Sequence, residues 1–315
     1  MTDTASPLVP VGSFVHPALF YRTTQEYVDT VGAFARAALA ADEPCLIAVP
    51  GARLEALRPA LDEGSDGIDF VDMTVLGRNP GRILAALQGF ADRHLGRPAR
   101  IVGEPIWAGR NHAEILEATR HEALINTAFA HRGATILCPY DVTALSDGVI
   151  ADARRTHPTI WDRGEDLDSP AYTDPATVCA DCDQPLPEPD RATVLAYTVG
   201  QLAQVRHHAD AWVRTTALTP ARQGDLLLAL GEATANSLAH GGGSGTLRLW
   251  TGENAAVVAE IRDAGQLSDP LAGRSRPRLA SADGGRGLWM IHQLCDLVEI
   301  RSTGDGLTLR LHLFP

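Results

Sequence analysis

Between residues 23 and 41 apolar positions recur every three or four residues, with Tyr27, Val28, Val31, Phe34, Ala35 and Ala38 on one side, so an amphipathic helix is predicted. Thr23 with Glu26 makes a capping box at its start. A short apolar run follows at 45–49, then a helix around 53–61, a strand at 68–73 and a helix over 80–95. Further strands are predicted at 100–103 and 134–138, with a helix over 112–130 between them. Helices alternating with short apolar strands predict βαβ units, hence a three-layered α/β domain around a parallel sheet.

The pattern breaks at 162–190, where Asp, Pro and Glu accumulate and the run ends Gln184-Pro-Leu-Pro-Glu-Pro. Prolines at that density cannot join a helix or a central strand, so an extended linker over 159–190 is expected between domains at 14–158 and 191–315. Beyond it, Leu195, Val199, Leu202, Val205 and Ala209 predict one amphipathic helix over 192–215. Pro220 opens a second helix that runs to about His240 and ends at Gly241-Gly-Gly. Alternating strands at 246–250 and 257–261, and again at 297–301 and 307–313, are joined through Gly252-Glu-Asn and Gly304-Asp-Gly. The second domain is therefore expected to be an α+β sandwich.

Composition narrows the function. Of 315 residues 45% are hydrophobic, enough for two cores, and no apolar run approaches the roughly 20 residues that span a bilayer. The start lacks a cationic patch followed by an apolar core, so no secretory signal is read and a cytoplasmic location is expected. A net charge of −12 argues against nucleic acid as a partner. Five cysteines fit a reducing compartment better than a disulfide framework.

In the first half, the segment after strand 45–49 lacks both Gly-Lys-Ser/Thr and a three-glycine pattern, so nucleotide binding is not expected there. Ligands of open parallel sheets sit beyond the carboxyl ends of the strands, where this reading places Gly51, Glu104, Trp107, Tyr140 and Asp141, with His16 nearby. Packing roles for the aromatics and capping roles for the carboxylates compete with that reading. In the second half, Glu232 and Asn236 are one helical turn apart, an acid and an amide able to activate a hydroxyl and hold a metal ion. Asp263-Ala-Gly265 follows a strand at a turn where a backbone can approach a ligand. Gly284-Gly-Arg-Gly-Leu opens an apolar helix over 288–294, whose N–H groups and dipole favour phosphate.

Taken singly these are a helix face, a turn and a loop. Their order, with a long polar loop over 266–283 before the glycines, resembles the GHKL or Bergerat-fold ATP-binding domain over roughly 190–315. Gly231-Glu-Ala-Thr-Ala-Asn-Ser-Leu-Ala-His-Gly and Gly284-Gly-Arg-Gly-Leu-Trp resemble the anti-sigma serine kinases in particular. That resemblance implies ATP and magnesium as cofactors, Glu232 as general base and Asn236 as the magnesium ligand. It gives Asp263 the adenine amine, Gly265 the flank of the base, and Gly285, Gly287 and Leu288 the phosphates. Arg286 is either a phosphate contact or an exposed lid arginine. Leu267 stands where a further glycine is expected and Arg286 replaces a lid glycine, changes that nucleotide binding survives more readily than turnover.

His16-Pro-Ala-Leu-Phe-Tyr and Cys138-Pro-Tyr-Asp resemble the MEDS sensory domain, a RecA-like fold without a working phosphate loop. The whole chain thus resembles actinobacterial anti-sigma regulators. The resemblance implies that a sigma factor and a STAS-type anti-sigma antagonist are protein partners and that a small molecule is the ligand of the first domain, and it admits a homodimer. Two alternatives stand beside it. A sensor histidine kinase needs a helical hairpin with a His followed by an acidic residue and a Pro, which His207-His208-Ala-Asp lacks. A non-catalytic module would use ATP only as a conformational ligand. Cys179-x-x-Cys182 supplies two of the four ligands of a structural zinc and is read as an incidental pair before a redox dithiol or a zinc site.

Overall fold

In the computed structural model, residues 13–61, 66–277 and 286–315 are described. The chain divides into two compact units, 1–180 and 181–315.

The first unit is built on strands β1 (Phe14–Val15), β2 (Pro17–Tyr21), β3 (Cys45–Val49), β4 (Ile68–Asp72), β5 (Ala99–Gly103), β6 (Ala134–Asp141), β7 (Thr159–Asp162) and β8 (Glu165–Asp168). They pair in the order β4-β3-β5-β6-β2-β7-β8, with β1 also on β6; every pairing is parallel except β7 with β8. The helices are α1 (Thr24–Ala40), α2 (Gly51–Leu61), α3 (Met73–Leu76), α4 (Ile83–Arg93), α5 (His112–Phe129), α6 (Asp147–Thr156) and α7 (Pro175–Asp181). Leu19, Tyr21, Cys45, Ile47, Val49, Val102 and Leu137 pack with α1 and α2 in one core. The alternate residues Ala18, Phe20, Leu46, Ala48, Ile101 and Ile136 are buried too. Burial on both faces is why these strands read as continuous apolar runs, and it confirms the parallel α/β expectation. The Thr23 hydroxyl caps α1 by accepting the Glu26 N–H at 3.1 Å, while the Glu26 carboxylate reaches one residue further back to the Arg22 N–H at 2.8 Å.

The second unit is a five-stranded antiparallel sheet of β9 (Thr193–Thr198), β10 (Ser244–Thr251), β11 (Val257–Asp263), β12 (Leu297–Thr303) and β13 (Gly306–Leu313). Its order is β12-β13-β11-β10-β9. Helices α8 (Leu202–Val213), α9 (Pro220–His240) and α10 (Arg286–Leu294) supply the rest of the core. Leu226, Ala229, Leu230 and Ala233 of α9 and Ile291 of α10 pack on Leu247, Ala259, Ile261, Leu309 and Leu311 of the sheet.

Two expectations are corrected. The helix predicted over 192–215 is a strand followed by a shorter helix. Thr193–Thr198 pairs antiparallel with β10 as the sheet's edge, and Gly200 at φ 90° turns the chain before α8 begins. Thr193, Val194, Tyr197 and Thr198 suit a pleated edge better than a helix. The segment 159–190 is not extended throughout: it carries β7, β8 and α7, and β7 pairs in parallel with β2. Its proline-rich end lies on the second unit, where the Arg301 and Arg310 guanidiniums donate to the Gln184 and Pro187 carbonyls at 3.1 and 2.8 Å and Arg262 pairs with Glu188 at 2.7 Å. Proline forbids a ladder, but carbonyls remain free to accept, so arginines fasten the segment. The strands β1 and β2, which hold the centre of the first sheet, form no part of the sequence reading. No helix among the described residues is long and apolar enough to cross a membrane.

Candidate functional site

Thr219 caps α9 and Pro220 occupies its first turn, which sets the register that puts Glu232 and Asn236 on one face. Both side chains are half-buried and aim at the start of α10: a Cβ placed on Gly287 would lie 2.7 Å from Glu232 Oε2 and 3.3 Å from Asn236 Nδ2. With glycine there, the helix begins close to this acid and amide without displacing either side chain.

Beside them opens a cavity of about 300 Å³. Ile261, Ile300, Leu307 and Leu309 of the sheet give it an apolar floor, and Ala233, Asn236 and Ser237 of α9 form a wall. Asp263 ends the central strand β11 at the cavity's edge. Its Oδ1 accepts the Gly265 N–H at 2.8 Å, and Ala264 donates to the Gly241 carbonyl at 3.2 Å, so the turn is tied to the end of α9. A side chain on Gly241 would run into the Asp263 carboxyl, and a Cβ on Gly265 would sit 2.8 Å from Asp263 Oδ1 and 3.1 Å from the Gly241 Cα. The two glycines let the end of α9 and the turn after β11 pack closely around the Asp263 carboxylate at the edge of the cavity.

The structure thus gathers Asn236, Asp263, Gly265, Gly287 and Leu288 around one cavity, with Glu232 against Gly287. Arg286 is exposed as the first residue of α10. Gly285 lies outside the described residues. Sequence reading missed Gly273, which also lines the cavity: it adopts φ +75°, and a Cβ there would come within 2.6 Å of Leu288 Cγ. Its signal was a lone glycine in a polar loop, too common to read. Leu267, the residue standing where glycine was expected, packs against the core, and its N–H donates to Ser302 Oγ at 3.0 Å.

In the first unit, the carboxyl ends of the parallel strands carry a second polar group. The Tyr21 and Tyr27 hydroxyls both donate to Glu104, at 3.2 Å each, and Arg53 pairs with Asp141 at 3.1 Å while lying over both tyrosine rings. Burial raises the Glu104 carboxyl to about 8, against the pull of Arg53 and the two hydroxyls. Of the strand-end residues expected together, Glu104 and Asp141 are brought to this group. Trp107 instead stacks under Arg110, Tyr140 turns to Glu122, and His16 lies with Asn126 and Cys138. Gly51 opens α2, but its N–H is taken by Asp72 Oδ1 at 3.1 Å, a carboxylate seated where a phosphate loop would hold its anion.

Residues 15–158 match the family described as MEDS, the methanogen/methylotroph DcmR sensory domain, and residues 195–313 match the histidine kinase-like ATPase domain. Among solved structures the chain is similar to the RsbU and RsbW domains of Rv1364c from Mycobacterium tuberculosis, at 14% identity and a TM-score of 0.29 over 66% of this chain. It spans 49% of the length of that structure. No curated protein matches it.

Proposed function

We propose that this chain, a MEDS sensory domain joined to a histidine kinase-like ATPase domain, is a cytoplasmic anti-sigma regulator that binds ATP with magnesium, sequesters a sigma factor and phosphorylates a serine of a STAS-type antagonist. The observation that carries this reading is the packing of Gly287 against Glu232 and Asn236 beside the Asp263 cavity. A general base, a metal ligand, an acceptor for a purine amine and a helix start for phosphate are what a phosphotransferase of this fold requires.

When bound, ATP with magnesium supplies the phosphoryl group and most of the charge neutralisation around it. Asp263 has Oδ1 engaged by the Gly265 N–H and the rest of its carboxylate available to an exocyclic amine. The apolar floor of Ile261, Ile300 and Leu309 would shield a bound purine from water. Asn236 offers its amide oxygen to the metal. Glu232 takes the proton of the acceptor serine at its carboxylate, and its place against the start of α10 keeps that proton acceptor beside the helix end that favours phosphate.

Calorimetry on the full-length protein with ATP and magnesium tests the binding, and radiolabel transfer to an antagonist co-purified with the protein tests the reaction. Glu232→Gln retains ATP affinity and lowers transfer by about 10²- to 10⁴-fold, the range of general-base effects. Equal transfer by the variant would remove Glu232 from the mechanism, and absent ATP binding in the parent protein would overturn the reading.

A further inference from the structure

Four side chains that the nucleotide chemistry does not use converge in the interior of the first unit. His16, between β1 and β2, Glu122 of α5, Cys138 of β6 and His157, just past α6, are all buried, and their ligand atoms all lie within 4.8 Å of one another. Measured pairwise, His16 Nε2 is 3.2 Å from Glu122 Oε2 and 3.4 Å from Cys138 Sγ; Glu122 Oε2 is 3.4 Å from Cys138 Sγ and 3.5 Å from His157 Nε2. A tetrahedral ion with bonds of about 2.0 Å to nitrogen and oxygen and about 2.3 Å to sulfur has ligand–ligand edges of roughly 3.3–3.6 Å. Four of the six edges already lie close to those dimensions, and the other two are no longer than 4.8 Å.

The surrounding hydrogen bonds fix which atoms face inward. The Asn126 amide nitrogen lies against three carbonyls, of Glu122, Ala123 and Thr156, so it is the amide oxygen that meets His16 Nδ1 at 3.1 Å. His16 Nδ1 is therefore the protonated nitrogen. His157 Nδ1 faces the Ala153 carbonyl at 2.8 Å, an acceptor only, so it too carries the proton. Both Nε2 atoms then point bare lone pairs at a carboxylate and a thiol, and His157 Nε2, 3.5 Å from Glu122 Oε2, makes no hydrogen bond of ordinary geometry. The Tyr140 hydroxyl donates to Glu122 Oε1 at 3.3 Å, leaving Oε2 for the centre. Four acceptors thus share one proton, that of the Cys138 thiol, in a site without access to water, an arrangement that costs free energy unless a cation completes it. Imidazoles oriented by an amide and a carbonyl through Nδ1 are the usual support of a metal ligand set.

We propose that His16, Glu122, Cys138 and His157 hold a zinc ion that braces the first sheet from inside. On binding, the Cys138 S–H bond breaks, its electron pair becomes the sulfur–zinc bond and the proton leaves to solvent. One carboxylate and one thiolate then balance the two charges of the ion, and two neutral imidazoles complete the set. Four protein ligands leave no open position, which assigns the ion a structural part.

The test uses the full-length protein without an affinity tag, analysed for metal as purified, then refolded from denaturant with chelator and titrated with cobalt(II). About one zinc per chain is expected, and cobalt uptake should give tetrahedral visible bands with a sulfur-to-cobalt charge-transfer band. Cys138→Ser should abolish that charge-transfer band, Cys182→Ser should keep it, and His157→Gln should weaken cobalt affinity at least about ten-fold. Folded parent protein, checked by circular dichroism, that contains no zinc and takes up no cobalt would overturn the site. So would a charge-transfer band that survives Cys138→Ser or disappears in Cys182→Ser.

Discussion

Asp263 Oδ1 accepts the backbone N–H of Gly265 at 2.8 Å, so the carboxylate at the end of the central strand is held by the turn that follows it. Asparagine can keep that bond through its carbonyl oxygen, but it then turns an NH₂ group toward the cavity, a donor facing a donor. Asp263→Asn should fold with unchanged stability and bind ATP about 10- to 100-fold more weakly, the loss expected for one charge-assisted hydrogen bond. Calorimetry on the parent and variant proteins measures it, and unchanged affinity would remove Asp263 from the base contact.

The two units differ in how much of each was legible beforehand. The parallel sheet could be read because its strands are buried on both faces, so runs such as Cys45–Val49 stand out. The Glu232, Asn236 and Asp263 positions could be read because helical spacing and strand ends fix where side chains go before any packing is known. Strand β9 could not: Leu195 and the apolar positions of α8 happen to keep a helical spacing across Gly200, and only pairing with β10 decides for a strand. The hold of Arg262, Arg301 and Arg310 on residues 184–188 was equally hidden, because those partners are more than 70 residues apart in sequence. His16 was placed near the strand-end group and Cys138 read as a motif residue, but nothing in their spacing reveals that Glu122 and His157 meet them.

The arginine group on the second sheet makes a stability prediction. Glu260 is fully buried and accepts from Arg248, Arg262 and Arg310 at 3.0, 2.7 and 2.6 Å. Removing it leaves the shielded Arg248 and Arg310 guanidiniums facing each other, with the more exposed Arg262 beside them. Glu260→Ala should lower unfolding stability by about 3–5 kcal/mol. Glu188→Ala, which breaks exposed pairs to two of the same arginines, should leave the urea midpoint nearly unchanged.

Glu104 sets a pH dependence. Its carboxyl is raised from 4.5 to about 8 by burial, so the folded chain holds this proton more tightly than the unfolded chain does. The stabilisation is fully present below pH 4.5 and is lost as pH rises through about 8. Over that window this residue alone makes stability fall by about 1.4 kcal/mol per pH unit. Glu104→Gln, which keeps the shape and stays neutral, should flatten the profile between pH 5 and pH 8 in urea unfolding; an unchanged slope would assign the dependence to another group.

Gly287 separates packing from chemistry at the proposed phosphate end of the cavity. A methyl group there meets Glu232 Oε2 at 2.7 Å and Asn236 Nδ2 at 3.3 Å, both the far ends of side chains that can swing away. Gly287→Ala also places a better helix former in α10, so the fold should be as stable as the parent or slightly more so. What moves is the carboxylate, and a displacement of about 1 Å at a reacting group costs about 10²-fold in rate. The variant should therefore lose phosphate transfer at undiminished stability. Gly241→Ala offers the contrast, because its methyl group runs into the Ser237 backbone carbonyl as well as the Asp263 carboxyl, and backbone cannot swing aside. It should lower stability by about 1–3 kcal/mol. Urea unfolding and radiolabel transfer on the two variants, side by side, distinguish the roles, and full transfer activity in Gly287→Ala would mean that Glu232 does not act from the position it holds here.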